Sequence, residues 1–145
     1  MLQGMESCRG RILVAVGPAT RGRLTRILAG WDVRYVTSIE ELTRALDEWP
    51  HELVIVSSRF DQSQALYALE RALGLTEHPV ICVRGLANVS PLRAASVHAL
   101  CLAAEELGVD SFVDLNEFPD DDVGDSRVRM LLESLLHRQR GYAWT

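Results

Sequence analysis

Ser57 and Ser58 close the apolar run "ELVIVSS", residues 52 to 58. A hydroxyl at the carboxyl end of a buried strand stands where open α/β sheets place their chemistry. A nucleophilic serine also needs a base and an oxyanion hole. Of the four histidines, His51 and His78 precede apolar runs and so belong to the opposite edge of a sheet. No Gly-x-Ser-x-Gly elbow surrounds Ser57, which reads as a structural residue rather than a catalytic one. A second candidate is "GPATRGRL", residues 17 to 24, placed between a strand and a helix, where phosphate loops sit. Gly17 and Gly22 have the spacing of G-x-x-x-x-G-K-[ST], but Arg23 stands for the lysine and Leu24 for the metal-binding hydroxyl. Both replacements argue against nucleoside triphosphate hydrolysis. Two readings remain for this segment: a plain connecting loop, or a site for a small anion or nucleotide held by Thr20, Arg21, Arg23 and Arg84.

The other candidates are weaker. Asp120, Asp121 and Asp122 do not have the spacing of an EF-hand loop. They are expected to form a solvated acidic loop, with Asp125 capping the helix that follows. Cys8, Cys82 and Cys101 are odd in number and far apart, which suggests neither a disulfide framework nor a metal site. Cys82 lies in an apolar run and is expected in the core. The chain contains no lysine, so any mechanism needing a lysine amine is ruled out. No metal or cofactor is expected. Arg84 is expected to pair with Asp61 or Asp114, or else to hold an acidic ligand.

The elements that position these residues alternate in type. Apolar runs at 11–16, 52–58 and 79–83 read as strands buried on both faces. "WDVRYVT", 31–37, alternates like a more exposed strand, and "SFVDL", 111–115, is a short fifth one. Helical periodicity separates them. Ser38 and Glu41 form a capping box. Leu66, Leu69 and Leu73 mark the inward face of the third helix. Ser90, Pro91 and Gly108 bracket the fourth. Val128, Leu131, Leu132 and Leu135 line the last. Five βα units in strict alternation imply right-handed crossovers and a parallel sheet in one three-layer α/β/α domain.

The 145 residues suit one domain, and the net charge of −5 does not favour nucleic acid or anionic membrane. No run approaches the roughly 20 apolar residues of a membrane span. The start "MLQGMESCRGR" lacks the pattern of a secretory signal, so a cytoplasmic location is expected. Residues 1–9 read as a flexible arm, 10–140 as the domain and 141–145 as a tail.

In order and local sequence the chain resembles the receiver domain of two-component response regulators, a bacterial signalling module. "ELVIVSSRF" is similar to the receiver's third strand, "HPVICVRG" to its fourth and "GVDSFVDL" to the entry into its fifth, over about residues 10 to 140. The resemblance implies a flavodoxin-like five-stranded sheet of order 2-1-3-4-5. It also implies an acidic pair for Mg²⁺ after strand one, a phospho-acceptor aspartate ending strand three, a hydroxyl ending strand four and a lysine ending strand five. Those positions here carry Val16 and Gly17, Ser57, Arg84 and Leu115, and the aromatic switch position carries Phe112. The pattern resembles a pseudo-receiver: a non-enzymatic module acting by protein contact.

The segment from Arg84 to Gly108 is longer than in receivers, and "AASVHALCLAA" is apolar on more than one helical face. Either the fourth helix is fully buried under the preceding loop, or it forms an interface. The interface would use Val97, Leu100, Cys101 and Ala104 with Leu136, in a homodimer or against a regulatory protein partner. No DNA-binding segment follows the receiver-like part, so output is expected to pass through such a partner.

Overall fold

The strands of the computed structural model lie parallel in the order β2-β1-β3-β4-β5. They are β1 (Arg11–Ala15), β2 (Asp32–Val36), β3 (Leu53–Ser57), β4 (Val80–Arg84) and β5 (Ser111–Asp114). The connecting helices are α1 (Pro18–Ile27), α2 (Ile39–Glu48), α3 (Ala65–Leu75) and α4 (Pro91–Leu107). A 3₁₀ turn, Leu115–Glu117, and α5 (Asp122–Tyr142) complete the chain. The structure describes residues 10–58, 60, 64–85 and 91–142. Cys8, Asp61, Ser90 and tail residues 143–145 therefore lie outside the described residues. Among the described residues no helix is long and apolar enough to cross a membrane.

Side-chain alternation along β1 divides the core. Ile12, Val14 and Val16 pack with Leu24, Ile27, Leu28, Val128, Leu132 and Leu135, under α1 and α5. Leu13 and Ala15 pack with Leu42, Leu46, Ala68, Leu69 and Ala104, under α2, α3 and α4. The two-residue period of a strand thus serves two helical layers at once. β3 is buried at every position, as a continuously apolar run requires.

The caps follow the sequence closely. Ser38 Oγ accepts from the Glu41 amide at 3.1 Å. Glu41 Oε1 in turn accepts from the Thr37 amide at 2.8 Å, one residue before the usual partner. Gly108 ends α4 with φ of 100°, where an L side chain would be strained. Its amide and that of Val109 both reach the Ala104 carbonyl.

Two helices differ from expectation. The inward face of α3 is Ala65, Ala68, Leu69 and Ala72, and Leu66 is 38% exposed. Alanines let this helix lie close to β3 and β4, and the larger leucine turns outward. Asp125 does not cap α5. The helix starts at Asp122, and Asp121 Oδ1 caps it by accepting from the Gly124 amide at 3.0 Å. Asp125 is buried inside the first turn. At its far end α5 continues through Gly141 and Tyr142.

α5 is fastened to α1 by arginines. Arg23 Nη1 donates to the Leu115 carbonyl at 3.0 Å, and Nη2 donates to Phe118 at 3.0 Å and Pro119 at 2.8 Å. Arg26 pairs with Asp120 and binds both carboxylate oxygens of Asp125. Arg129 Nε donates to the Ile27 carbonyl at 2.9 Å, which satisfies an end-of-helix acceptor of α1. Gly124 completes the fit: a Cβ there would stand 1.7 Å from the Pro119 carbonyl oxygen.

Hydrogen bonds from Arg26 hold the Asp125 carboxyl below the usual carboxylate range. A depressed folded-state pKa gives stability that is present above the unfolded value, about pH 4, and lost as pH falls through the folded value. Asp125→Asn should therefore lower the urea midpoint at pH 7 and flatten its fall between pH 5 and 2. An unchanged midpoint or an unchanged acid slope would show that the pair contributes nothing.

Candidate functional site

The carboxyl ends of β1, β3, β4 and β5 converge on one edge of the sheet, where the expected site lies. Val16 is fully buried, and Ser57 is 1% exposed. Ser57 sits opposite Val83 across the β3–β4 register, and Arg84 sits opposite Asp114 across β4–β5. That register turns two sequence candidates into a pair: Arg84 Nη1 donates to Asp114 Oδ2 at 2.9 Å. Both side chains are largely enclosed, 12% and 20% exposed. The other carboxylate oxygen of Asp114 accepts from the Asn116 amide at 3.0 Å and so caps the 3₁₀ turn. The carboxylate is thus used on both sides, by the arginine and by the turn.

The remaining pocket positions are apolar or closed. Leu115 is buried, and its carbonyl takes the hydrogen bond from Arg23. Phe112 is partly buried against the α2–α3–α4 side of the core. Thr20, in the first turn of α1, is 4% exposed and lies against Gly85. A Cβ on Gly85 would come within 2.3 Å of Thr20 Oγ1. This contact brings the start of α1 to the end of β4 and covers the edge from one side.

The residues proposed for anion binding are engaged separately. Thr20 is packed on Gly85. Arg21 lies over the Tyr35 ring, 4.4 Å from its centroid. Arg23 holds the 115–119 turn, and Arg84 holds Asp114. The structure does not bring them into one cradle, because each has nearer carbonyl, carboxylate or ring acceptors. The acidic loop is also committed: Asp120 binds Arg26 and Asp121 caps α5. Among the described residues no group of three or more His, Cys, Asp or Glu side chains is placed to hold a metal ion.

His51 and His78 lie before β3 and β4, at the edge away from Ser57. His51 Nδ1 is 2.8 Å from the Trp49 carbonyl and Nε2 is 2.9 Å from Thr76 Oγ1, so both nitrogens serve local structure. Cys82 is fully buried, and burial pushes its thiol up to about 12, which fits a core residue.

The expected interface needs two corrections. Ala104 is fully buried against α3 and the sheet, and Leu136 is buried in the α1–α5 layer. These side chains belong to opposite faces of the core. Leu100 packs on the same side as Ala104, as residues four apart on a helix must. Cys101 is half-buried, with Sγ 3.9 Å from Glu105 Oε2. The Val97 side chain lies outside the described residues. The outward side of α4 carries Leu102, 51% exposed, and Leu107, 37% exposed.

Arg84 and Asp114 are enclosed enough that removing one partner strands the other. Asp114→Asn, which keeps an acceptor for the Asn116 amide, should cost on the order of 1–3 kcal/mol by stranding the Arg84 charge, whereas the double change Arg84→Met with Asp114→Asn should recover most of that loss. Urea unfolding of the two variants makes the comparison. Equal losses in both would mean that the charge pair is not what stabilises this edge.

No family model and no curated protein sequence matches the chain. Solved structures do. A CheY-like response regulator receiver domain protein from Methanospirillum hungatei JF-1 superposes with a TM-score of 0.65 at 19% identity, over 91% of this chain and 97% of that one. The signal receiver domain of an HD domain-containing protein from Pseudomonas fluorescens Pf-5 gives 0.69 at 15%, over 92% and 90%. Full-length FixJ from B. japonicum gives 0.71 at 20%, over 94% of this chain but 62% of its own length. With its five parallel strands in the order 2-1-3-4-5 and helices on both faces, the chain has the flavodoxin-like fold of these CheY-like receiver domains.

Proposed function

We propose that the domain is a non-enzymatic signalling or regulatory module that keeps the receiver architecture and works by protein contact, without accepting a phosphoryl group at the end of β3. The observation that carries this reading is the Arg84–Asp114 pair beside the buried Ser57. A phosphoryl acceptor of the receiver type needs a carboxylate nucleophile, a divalent cation on acidic ligands and free donors for the new oxygens. Here the strand-three position is a hydroxyl, the strand-one positions are Val16 and Gly17, and Arg84 at the edge is neutralised by Asp114.

Mixing the protein with Mg²⁺ and either beryllofluoride or acetyl phosphate tests the chemistry. Amide NMR spectra should show no saturable change at residues 16, 57 and 84, and intact mass should show no added phosphoryl group. Stoichiometric Mg²⁺-dependent binding at this edge would overturn the reading.

The contact face in this reading is the outer side of α4, where Leu102 and Leu107 are exposed. We place a second copy there. Sedimentation equilibrium should show self-association that rises with concentration and is lost in Leu102→Arg, with the unfolding midpoint unchanged. A wild-type protein that stays monomeric at about 1 mM, a concentration at which a contact of about 4 kcal/mol is half-formed, would remove the homodimer from the proposal.

A further inference from the structure

β3 and β4 pair in parallel, with Val54 opposite Val80. The segments that enter them therefore emerge side by side at the amino edge of the sheet, away from Ser57. Each carries a histidine two residues before its strand: His51 before Leu53 and His78 before Val80. Both line one open depression of about 420 Å³, together with Asp47, Glu48 and Trp49 from the end of α2.

Hydrogen bonds fix the state of the first ring. A carbonyl oxygen only accepts, so the 2.8 Å contact of His51 Nδ1 with the Trp49 carbonyl puts the hydrogen on Nδ1. In the neutral imidazole Nε2 then carries a lone pair, and at 2.9 Å it accepts from the Thr76 hydroxyl. One ring nitrogen anchored to a carbonyl, with the other left as an acceptor, is the arrangement of metal-binding histidines. Thr76 Oγ1 also accepts from the His78 amide at 3.2 Å, which seats the second histidine beside the first. His78 is exposed, and its ring makes no hydrogen bond among the described residues. The two ring centroids are 5.6 Å apart. With metal–nitrogen bonds of about 2.0–2.1 Å, two imidazoles on one tetrahedral ion have centroids roughly 5 Å apart, close to that spacing. No arginine lines the depression. Glu48 also lines the groove of Arg44, so the carboxylates add attraction for a cation but the imidazoles select it. Imidazole suits zinc, copper and nickel, whereas magnesium and calcium prefer oxygen. Among the described residues no third His, Cys, Asp or Glu completes a set, which leaves the other positions on the ion to water.

We infer that His51 and His78 form a two-point site for a late first-row divalent metal ion. Nε2 of His51 exchanges the Thr76 hydroxyl for the ion, and a ring nitrogen of His78 joins it. The bound ion ties the segment that follows α2 to the one that follows α3. The site lies at the opposite edge from Ser57, so its failure would leave the beryllofluoride result standing.

Zinc chloride is the diamagnetic probe and magnesium chloride the control. Each is titrated into the full chain and followed by long-range ¹H–¹⁵N NMR of the imidazoles. Zn²⁺ should shift His51 Nε2 and a ring nitrogen of His78 saturably, at one ion per chain, and leave the His51 Nδ1–H in place. Mg²⁺ should move neither ring. The thermal midpoint should rise with Zn²⁺ and not with Mg²⁺, because the ion binds only the folded arrangement. Cu²⁺, followed by calorimetry, should bind more tightly than Zn²⁺. His78→Ala, a change at an exposed position, should weaken Zn²⁺ binding at least about tenfold while the urea midpoint stays unchanged. His98→Ala, in α4, should bind as the wild type does. No saturable shift at about 1 mM Zn²⁺, shifts confined to His98 or His137, undiminished binding in His78→Ala, or an equal response to Mg²⁺ would each overturn the site.

Discussion

Arg26 and Asp125 meet at the seam where the last helix returns to the first. That contact fastens the first turn of the helix whose Val128, Leu132 and Leu135 cover one half of the core. The carboxylate is buried in the first turn of α5 and accepts from both Nε and Nη2 of one guanidinium. A buried carboxylate is tolerable only with such a partner. Arg23 and Arg129 extend the seam to either side by donating to carbonyls at the 115–119 turn and at the end of α1. In a chain without lysine these duties fall to arginine, whose planar fork can bind several acceptors at once. The layer of leucines beneath, from Leu24 to Leu135, is packed by a helix that this cluster orients.

The edge where a receiver performs its chemistry is held by the same means. Arg84 and Asp114 face each other because the β4–β5 register places them opposite. Thr20 and Gly85 approach because glycine leaves room for a hydroxyl-bearing side chain. Such a pair is weak evidence for net stability, since desolvation offsets attraction. It does fix what occupies the edge. A guanidinium and its counter-charge stand there.

Much of the architecture was legible from periodicity. The buried strands announced themselves as unbroken apolar runs, and Ser38, Pro91 and Gly108 marked helix ends where the structure has them. The residue types at the strand ends, Val16, Ser57, Arg84 and Leu115, were equally readable, because each is a matter of one position. The side chains that link distant elements were not. Arg23 looked like part of a loop facing a ligand, yet it reaches residues more than ninety positions away. Asp125 looked like a cap because aspartate before a helix usually is one, and only the partner in α1 explains its burial. The faces of α3 and α4 were only partly legible for a related reason: Leu69 and Leu73 pack on the core as expected, while Leu66 is exposed. In "ALYALERALGL" and "AASVHALCLAA" small and large apolar residues fall on every side, so the stripe facing the sheet depends on how closely the helix approaches it.

Arg23 grips residues 115–119 after β5 through the carbonyls of Leu115, Phe118 and Pro119, and its side-chain ion pairs, with Asp120 and Asp125, fall beyond that turn. A carbonyl is the same for every amino acid. The turn is therefore held in shape while the exposed side chains it displays, such as Glu117, are left out of the grip. Substitution can rewrite the chemistry shown beside the sheet's carboxyl edge without loosening the scaffold that shows it. The turn is thereby a place where a new specificity can arise at no cost to the fold.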